Sequence, residues 1–357
     1  MEKLQKQFIG VIALVAVFFL SAAVGWGAID PSTVQKLVAG DGAASDYFGW
    51  SSSIDGNTLV IGARGDDYSG SAYVFVRDES RKWIQQTKLL PDDGAVYDYF
   101  GKAVSISGDT IVIGAQGDDD NGDYFSGSAY IFTRNGDGSW YQKIKLVPDD
   151  VTTHSAFGCS VSISGDTIVI GSDRNHGNGY QSGSAYIFVR NGDGFWHQQA
   201  KLIPDASYSL FGSSVSISGN TVVIGSPGDD ENGTEVGSVY VFVRNIAGVW
   251  NRQAKFLPDA GERFGSTVSI SGDTVLISEP TNYHFGGDHS GSVYVFVRNG
   301  SDEWIQQTKL LPDDGTAEDH FGESVSISGD TIVIGASGDD DNGGLSGSAY
   351  IYSSIPT

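Results

Sequence analysis

Residues 100–115 have the sequence FGKAVSISGDTIVIGA, and residues 127–150 continue with GSAYIFTRNGDGSWYQKIKLVPDD. Apolar residues alternate with polar ones along four short runs, which is typical of β-strands. The dipeptide Gly108-Asp109 separates the first two runs and favours a tight hairpin. A wider turn, NGDG, follows at residues 135–138. The segment therefore predicts a sheet of four short antiparallel strands.

The same unit occurs six times along the chain. Each copy begins at a Phe-Gly pair, and the pairs are 52 to 57 residues apart, at Phe48, Phe100, Phe157, Phe211, Phe264 and Phe321. Four strands in about fifty residues is the size of one blade of a β-propeller. A blade cannot bury both of its faces alone, so neighbouring blades must cover them. The chain is therefore predicted to be all-β, a six-bladed β-propeller of four-stranded antiparallel blades.

The two ends of the repeat region predict how the last blade is completed. Copies one to five end on an outer strand headed by a tryptophan, but the sixth copy stops at GSAYIYSSIPT, before that strand. The N-terminal sequence QKLVAGDGAASDYFG, residues 35–49, aligns without gaps with TKLLPDDGAVYDYFG, residues 87–101. Residues 34–38, called the N-terminal clasp below, are therefore predicted to pair with the last blade. Such pairing removes free sheet edges that template aggregation.

Composition and charge exclude one class of function. The formal net charge is −23 and the pI is about 4.3, so the basic surface that nucleic acid requires is missing. Cations or basic surfaces are favoured as partners instead. The single cysteine, Cys159, cannot form an intramolecular disulfide. Packing and strand pairing must hold the fold together.

The first 28 residues are predicted to be a signal peptide, and residues 29–357 the propeller domain. Lys3 and Lys6 precede an apolar run over residues 8–24, and small residues follow it. An uncleaved membrane anchor is the alternative, although 17 apolar residues are short for a span. No cysteine lies near the cleavage region, so a lipoprotein is not expected. The mature chain is expected in the periplasm, at the cell surface or secreted, without insertion into a membrane.

The repeat resembles the FG-GAP family. The Phe-Gly start, the Ile-Gly-Ala end of the second strand and the Gly-Ser-Ala-Tyr third strand carry this resemblance over residues 34–352. The chain is closest to the bacterial type and is similar to the N-terminal β-propeller of integrin α-subunits, which implies ligand binding and adhesion. Integrin propellers have seven blades, several with an Asp-x-Asp-x-Asp-Gly calcium loop between the first two strands. Here that loop is only Ser-Gly-Asp-Thr, residues 107–110, too short to supply calcium ligands.

Acidic residues concentrate in two classes of loop. The loops from the second to the third strand, and from the fourth strand to the next blade, share one end of the propeller. They hold 30 of the 44 acidic residues, against only Arg64, Arg174 and Arg263. One interpretation is a solvated acidic surface. The other is binding of divalent cations such as Ca²⁺ by the richest loops, through Asp118, Asp120, Asn121, Asp229, Asp339, Asp341 and Asn342. These loops only partly resemble an EF-hand and lack its distal glutamate.

An Arg-Gly-Asp triplet lies at residues 64–66. Equivalent loops contain Gly-Asp at 117–118, 228–229 and 338–339, so the repeat accounts for Gly-Asp and the arginine occupies a variable position. Integrin-type adhesion through this triplet is not expected. Cys159 follows a Phe-Gly pair at another variable position and is interpreted as a tolerated substitution.

Catalysis would require residues that break the repeat. Two loops do so: residues 172–182 contain Asp173, Arg174, Asn175 and His176, and residues 279–290 contain Glu279, Tyr283, His284, Asp288 and His289. Histidine beside carboxylates suits acid–base chemistry, but ordinary loop variation explains both. The chain is predicted to be a non-catalytic binding or surface-scaffold propeller for a protein or carbohydrate. The alternative is an extracytoplasmic polysaccharide hydrolase or lyase.

Overall fold

The computed structural model describes residues 35–119, 124–150, 152–230, 236–258, 263–280, 290–312, 314–341 and 346–353. The predicted signal peptide lies outside them. The described residues form 23 strands in six antiparallel sheets, which confirms the all-β, six-bladed propeller. In these ranges the one helical segment is a 3-10 turn at Asp66–Tyr68, and no helix is long and apolar enough to cross a membrane.

The strands follow the repeat, and strands within each blade pair in chain order. Blade 1 contains β1 (Phe48–Asp55), β2 (Thr58–Ala63), β3 (Ser71–Arg77) and β4 (Trp83–Leu89); blade 2 contains β5 (Ala103–Ser107), β6 (Thr110–Ala115), β7 (Ser128–Arg134) and β8 (Trp140–Leu146); blade 3 contains β9 (Val161–Ser164), β10 (Thr167–Ser172), β11 (Ser184–Arg190) and β12 (Trp196–Leu202). Blade 4 contains β13 (Ser214–Ser218), β14 (Thr221–Ser226), β15 (Ser238–Arg244) and β16 (Trp250–Phe256); blade 5 contains β17 (Val268–Ser271), β18 (Thr274–Glu279), β19 (Ser292–Arg298) and β20 (Trp304–Leu310); blade 6 contains β21 (Phe321–Ser328), β22 (Thr331–Ala336) and β23 (Ser348–Tyr352).

The Phe-Gly pair joins each blade to the one before it. Phe100 is completely buried and forms a bridge with Gly70 of the preceding blade. A Cβ atom on Gly70, whose φ is +91°, would lie 2.1 Å from the carbonyl oxygen of Phe100, so only glycine fits there. The same bridge recurs between blades 2 and 3, 3 and 4, 4 and 5, and 5 and 6. This close approach explains why the pair recurs once in every repeat.

Apolar side chains fill the space between consecutive blades. Val112, Ile131 and Leu146 of blade 2 pack against Phe157 and Ile163 of blade 3, for example. A serine on the first strand of each of blades 1 to 5 accepts a hydrogen bond from the next blade: the backbone N–H of Ile163 donates to Ser105 Oγ at 3.2 Å, for example. The core is thus a series of layers between blades, as expected of a repeat architecture.

Blade 6 is the exception. Its sheet has three strands, and the bridge found between the other consecutive blades is missing between Gly347 and Phe48 in the described residues. The chain divides into two compact units, residues 1–37 and 38–357. Residues 35–38 form no strand, and residue 34 lies outside the described residues. The N-terminal clasp therefore stays a prediction.

Candidate functional site

The acidic loops place one polar side chain of each blade in a buried network at the same end of the propeller. Its partners are side chains of the third and fourth strands. The buried residue is an acid in five blades and an amide in blade 3: Asp66, Asp118, Asn175, Asp229, Glu279 and Asp339.

Blade 2 shows the geometry of this network. Asp118 Oδ2 accepts hydrogen bonds from the Tyr130 hydroxyl at 2.6 Å and from Lys145 Nζ at 2.8 Å. The same two groups reach Asp93, in the loop from the preceding blade, at 2.9 Å and 2.7 Å. Burial would raise the pKa of Asp93, but the bonds from Lys145 and Tyr130 hold it below its usual range. The network ties the two predicted acidic loops together and shows that they share one end of the propeller.

The two irregular loops keep the network instead of breaking it. Asn175 replaces the acid in blade 3, where its Oδ1 accepts from Ser184 Oγ at 3.1 Å and from Lys201 Nζ at 3.2 Å. Glu279 starts from a different repeat position, yet its longer side chain accepts from Ser292 Oγ at 2.9 Å in the same way. Burial raises the pKa of Glu279. These substitutions are compensated variations of one structural element.

The structure describes only some of the other residues of the predicted enzyme site. His176 is exposed, and its Nδ1 accepts the backbone N–H of Gln181 at 3.1 Å. Four more lie outside the described residues: Tyr283, His284, Asp288 and His289.

Four of the predicted metal ligands, Asp118, Asp229, Asp339 and Asp341, are described by the structure and lie in or beside the same network. Asp229 Oδ2 accepts from Ser238 Oγ at 2.6 Å, from the Tyr240 hydroxyl at 3.0 Å and from Lys255 Nζ at 3.1 Å. In blade 6 the backbone N–H of Asp341 donates to Asp339 Oδ1 at 3.1 Å. In the described ranges no three histidine, cysteine or acidic side chains are grouped as a metal site. Three of the predicted ligands lie outside those ranges, namely Asp120, Asn121 and Asn342, so the metal site stays a prediction.

Sequence reasoning missed the lysines of this end. The count of basic residues covered only the loops, and each complete outer strand carries one lysine near its end. These lysines contact the buried network: Lys88, Lys145, Lys201, Lys255 and Lys309. A signal was present, because each stands directly before the last residue of that strand. The acidic end is therefore partly neutralised by side chains that arrive from the outer strands.

A central opening is bounded by first-strand residues of all six blades. Its lining includes Trp50, Lys102 and Cys159, which hold the position after the Phe-Gly pair in blades 1 to 3. The other copies have Ser213, Ser266 and Glu323 there. The residue type at this position therefore differs between copies of the repeat, as a specific ligand site requires.

Aromatic and cationic side chains meet on blades 1 and 2. The Arg64 guanidinium carbon lies 3.7 Å from the ring centre of Trp50 and 5.0 Å from that of Tyr47. Lys102 Nζ lies 4.7 Å from the Trp50 ring centre. All three distances are within cation–π range. Tyr47, Trp50, Arg64 and Lys102 are called the axial patch below.

The axial patch accounts for the Arg-Gly-Asp triplet. Arg64 packs on Trp50, and Asp66 is 5% exposed and bonded to Tyr73 and Lys88 at 2.9 Å and 2.6 Å. The two charges of the triplet therefore serve different local structures. They are not presented together to a partner.

Cys159 lies beside the axial patch in a setting that suppresses its reactivity. Burial raises the pKa of its thiol, and the nearby Asp173 raises it further. Its Sγ donates to the carbonyl oxygen of Gly212 at 3.5 Å. These features fit a packed thiol, as the sequence interpretation expected.

Six segments of the chain match the FG-GAP repeat family, at residues 31–75, 83–132, 140–188, 196–242, 250–296 and 304–352. The chain belongs to the FG-GAP repeat family. From the second onward, each FG-GAP match begins at or next to an outer strand and ends within the third strand of the next blade. The first match begins at residue 31, so in the family alignment residues 31–47 correspond to an outer strand and its loop.

A search of the curated proteins finds no match. Among solved structures, this FG-GAP chain is similar to a protein from Lactobacillus plantarum, with a TM-score of 0.52 and 11% sequence identity. The similarity covers 85% of this chain and 79% of the other. At that identity the likeness supports the propeller fold alone.

Proposed function

We propose that this FG-GAP propeller is an exported, non-catalytic binding protein whose protein or carbohydrate ligand contacts the axial patch. One observation carries the proposal: tryptophan, tyrosine, arginine and lysine converge beside the central opening, where blades 4 and 5 have serine in place of Trp50 and Lys102. Tryptophan, tyrosine and arginine are the residues most enriched in binding hot spots. Propellers also bind ligands through loops at one end of the ring.

Export is part of this proposal and rests on the sequence. Lys3, Lys6 and the apolar residues 8–24 have the order of a signal peptide. FG-GAP repeats are typical of extracellular proteins, which agrees with export. Mass spectrometry of the protein recovered from its host would test it. A mature N-terminus between residues 24 and 29 supports export, and an intact N-terminus contradicts it.

The non-catalytic part of the proposal follows from the irregular loops. Asn175 and Glu279 maintain the buried network, and His176 uses Nδ1 for a backbone contact. A hydrolase or lyase remains the competing function. Turnover of any polysaccharide that disappears in His176→Ala or His284→Ala would overturn the binding proposal.

The binding test compares two tryptophans. Residues 29–357 would be applied to arrays of neutral and acidic glycans and of envelope proteins, beside the variants Trp50→Ala and Trp83→Ala. Trp83 is a suitable control because the Arg77 guanidinium carbon lies 5.3 Å from its ring centre, a contact like that of Trp50 with Arg64. Unlike Trp50, Trp83 lies on an outer strand. We expect Trp50→Ala to lose binding and Trp83→Ala to keep it. Equal binding by both variants would contradict the axial patch as the site.

A further inference from the structure

The cations of the axial patch differ from the lysines of the outer strands. Lys88 and Lys145 each contact two carboxylates within 2.8 Å. Arg64 and Lys102 form no salt bridge with any residue in the described ranges, although the chain carries a net charge of −23. Within the described residues these two adjacent cations thus have no salt-bridge partner, and the carboxylate that acts on Lys102 is that of Asp173, without a direct contact.

The surroundings of these cations favour an anion. Burial lowers the pKa of Lys102 and the charge of Arg64 lowers it further, while Asp173 opposes this shift in part. Arg64 Nε is buried and has no hydrogen-bond acceptor among the described residues. An unsatisfied buried donor is costly, and the planar guanidinium matches a carboxylate in two parallel hydrogen bonds. A carboxylate that faces the accessible part of the guanidinium would offset the repulsion between Arg64 and Lys102.

The aromatic members of the patch add a second requirement. Trp50 is 45% exposed and Tyr47 is 55% exposed, so apolar ring surface borders the cations. Ligand sites of this kind combine ring faces with a few placed polar groups. A ring that carries one carboxylate offers the patch both an apolar face and an anion.

The charge of the whole molecule limits the ligand to few negative charges. The same end of the propeller carries most of the 44 acidic residues, and their field repels a polyanion. One carboxylate offsets part of the positive charge of Arg64 and Lys102 without that repulsion.

On the basis of the binding function proposed above, we propose that the axial patch binds one carboxylate carried on a sugar ring, as in a hexuronate. Arg64 and Lys102 hold the carboxylate, and Trp50 packs against the ring. The corresponding positions of blades 4 and 5 have serine in place of Trp50, and proline in place of Arg64. The site therefore occurs once per chain.

Isothermal titration calorimetry of residues 29–357 tests this site with D-glucuronate, D-glucose and acetate at constant ionic strength. We expect one glucuronate per chain, and binding of glucose and acetate weaker by about tenfold or more because each lacks one of the two recognition elements. Arg64→Gln and Lys102→Gln are each expected to weaken glucuronate binding by about tenfold, and Lys102→Arg to retain most of it. The absence of heat with glucuronate, or equally strong binding of acetate, would overturn the hexuronate site.

Arg263→Gln is the matched control, because it removes another arginine from the same end of the propeller without touching the patch. It should bind glucuronate as the unchanged protein does. A loss equal to that of Arg64→Gln would show a general charge effect and overturn the site. Trp50-dependent binding of a neutral glycan or a protein, without glucuronate binding, would overturn this inference and leave the proposed function standing. If no ligand depends on Trp50, both fail.

Discussion

Blades 2 and 6 have a second strand of identical sequence, TIVIGA, yet the two strands differ in burial. All six residues of β6 are buried, whereas β22 alternates between buried and more exposed positions. Val112 is completely buried and its counterpart Val333 is 39% exposed. On the third strands, Ile131 is completely buried and Ile351 is 57% exposed. Sequence within the strand cannot be the cause of this difference.

The neighbours of the strand are the cause. One face of β6 and β7 is covered by Phe157 and its companions from blade 3, whereas the corresponding face of blade 6 is the one directed toward blade 1. Ile54 of blade 1, the counterpart of the buried Ile106, is 59% exposed. A blade of this family thus gains its core from the blade that follows, which is the expected behaviour of stacked repeats. The junction between the last and first blades is where stability should differ most.

Removal of the N-terminal clasp should have the largest effect on that junction. Deleting residues 30–38 takes away the predicted outer strand of blade 6 but keeps Asp41, which bonds to Tyr73 of blade 1 at 2.8 Å. We expect a broader calorimetric unfolding transition and aggregation, because a sheet edge is left open. Deletion of residues 30–33 alone is the control and should change neither. Unchanged melting and solubility in the longer deletion would rule out the clasp.

A pair of matched core substitutions measures the difference between an interior blade and blade 6. Ile131→Ala should lower the free energy of unfolding by about 2–5 kcal/mol, because it empties a buried site. Ile351→Ala should cost less than about 1 kcal/mol, because 57% of the residue is already exposed. Chemical denaturation of both variants provides the comparison. Equal losses would contradict the exposure and mean that blade 1 covers Ile351.

The fold could be predicted from the sequence because the repeat supplies six copies of each signal. The Gly-Asp turn, the alternation in strands and the Phe-Gly pair recur at fixed positions, so an error in one copy is corrected by the others. The exposure of blade 6 in the described residues could not be predicted from the strand, since β22 has the same sequence as β6.

The candidate site was harder to predict because it depends on contacts between distant residues. The sequence placed Arg64 at a variable position of an acidic loop. Only the fold shows that Arg64 lies over Trp50, beside Lys102 of the next blade. The network of Asp118 likewise needs Lys145 from an outer strand. The acidic residues and their position in the loop suggested that Asp118 binds a cation. Its carboxylate is instead contacted by Tyr130 and Lys145, which lie 12 and 27 positions further along the chain.

The buried networks of blades 2 and 6 should also respond differently to loss of their acid. Asp118→Asn removes the charge that faces Lys145, and we expect a loss of about 1 kcal/mol, since blade 3 already tolerates Asn175 at this position. Asp339→Asn should cost less, because the described part of blade 6 contains no lysine in that place. Asp92→Asn, at an exposed position, is the control. Thermal melting in chelator should show this order, and an effect of Asp118→Asn confined to calcium buffer would contradict a structural role.

The smallest effect is expected from calcium itself, and it decides between the two interpretations of the acidic loops. Like charges on Asp339 and Asp314 raise the pKa of the Asp341 carboxyl, so added salt of any kind should stabilise this end by screening. The carboxylates of Asp118 and Asp229 already accept hydrogen bonds from tyrosine and lysine, which leaves them less free to bind a cation. We therefore expect equal melting temperatures in calcium, magnesium and sodium chloride at matched ionic strength. A specific calcium site would instead add about 2.7 kcal/mol at a hundred times its dissociation constant, and Asp341→Asn would remove that gain.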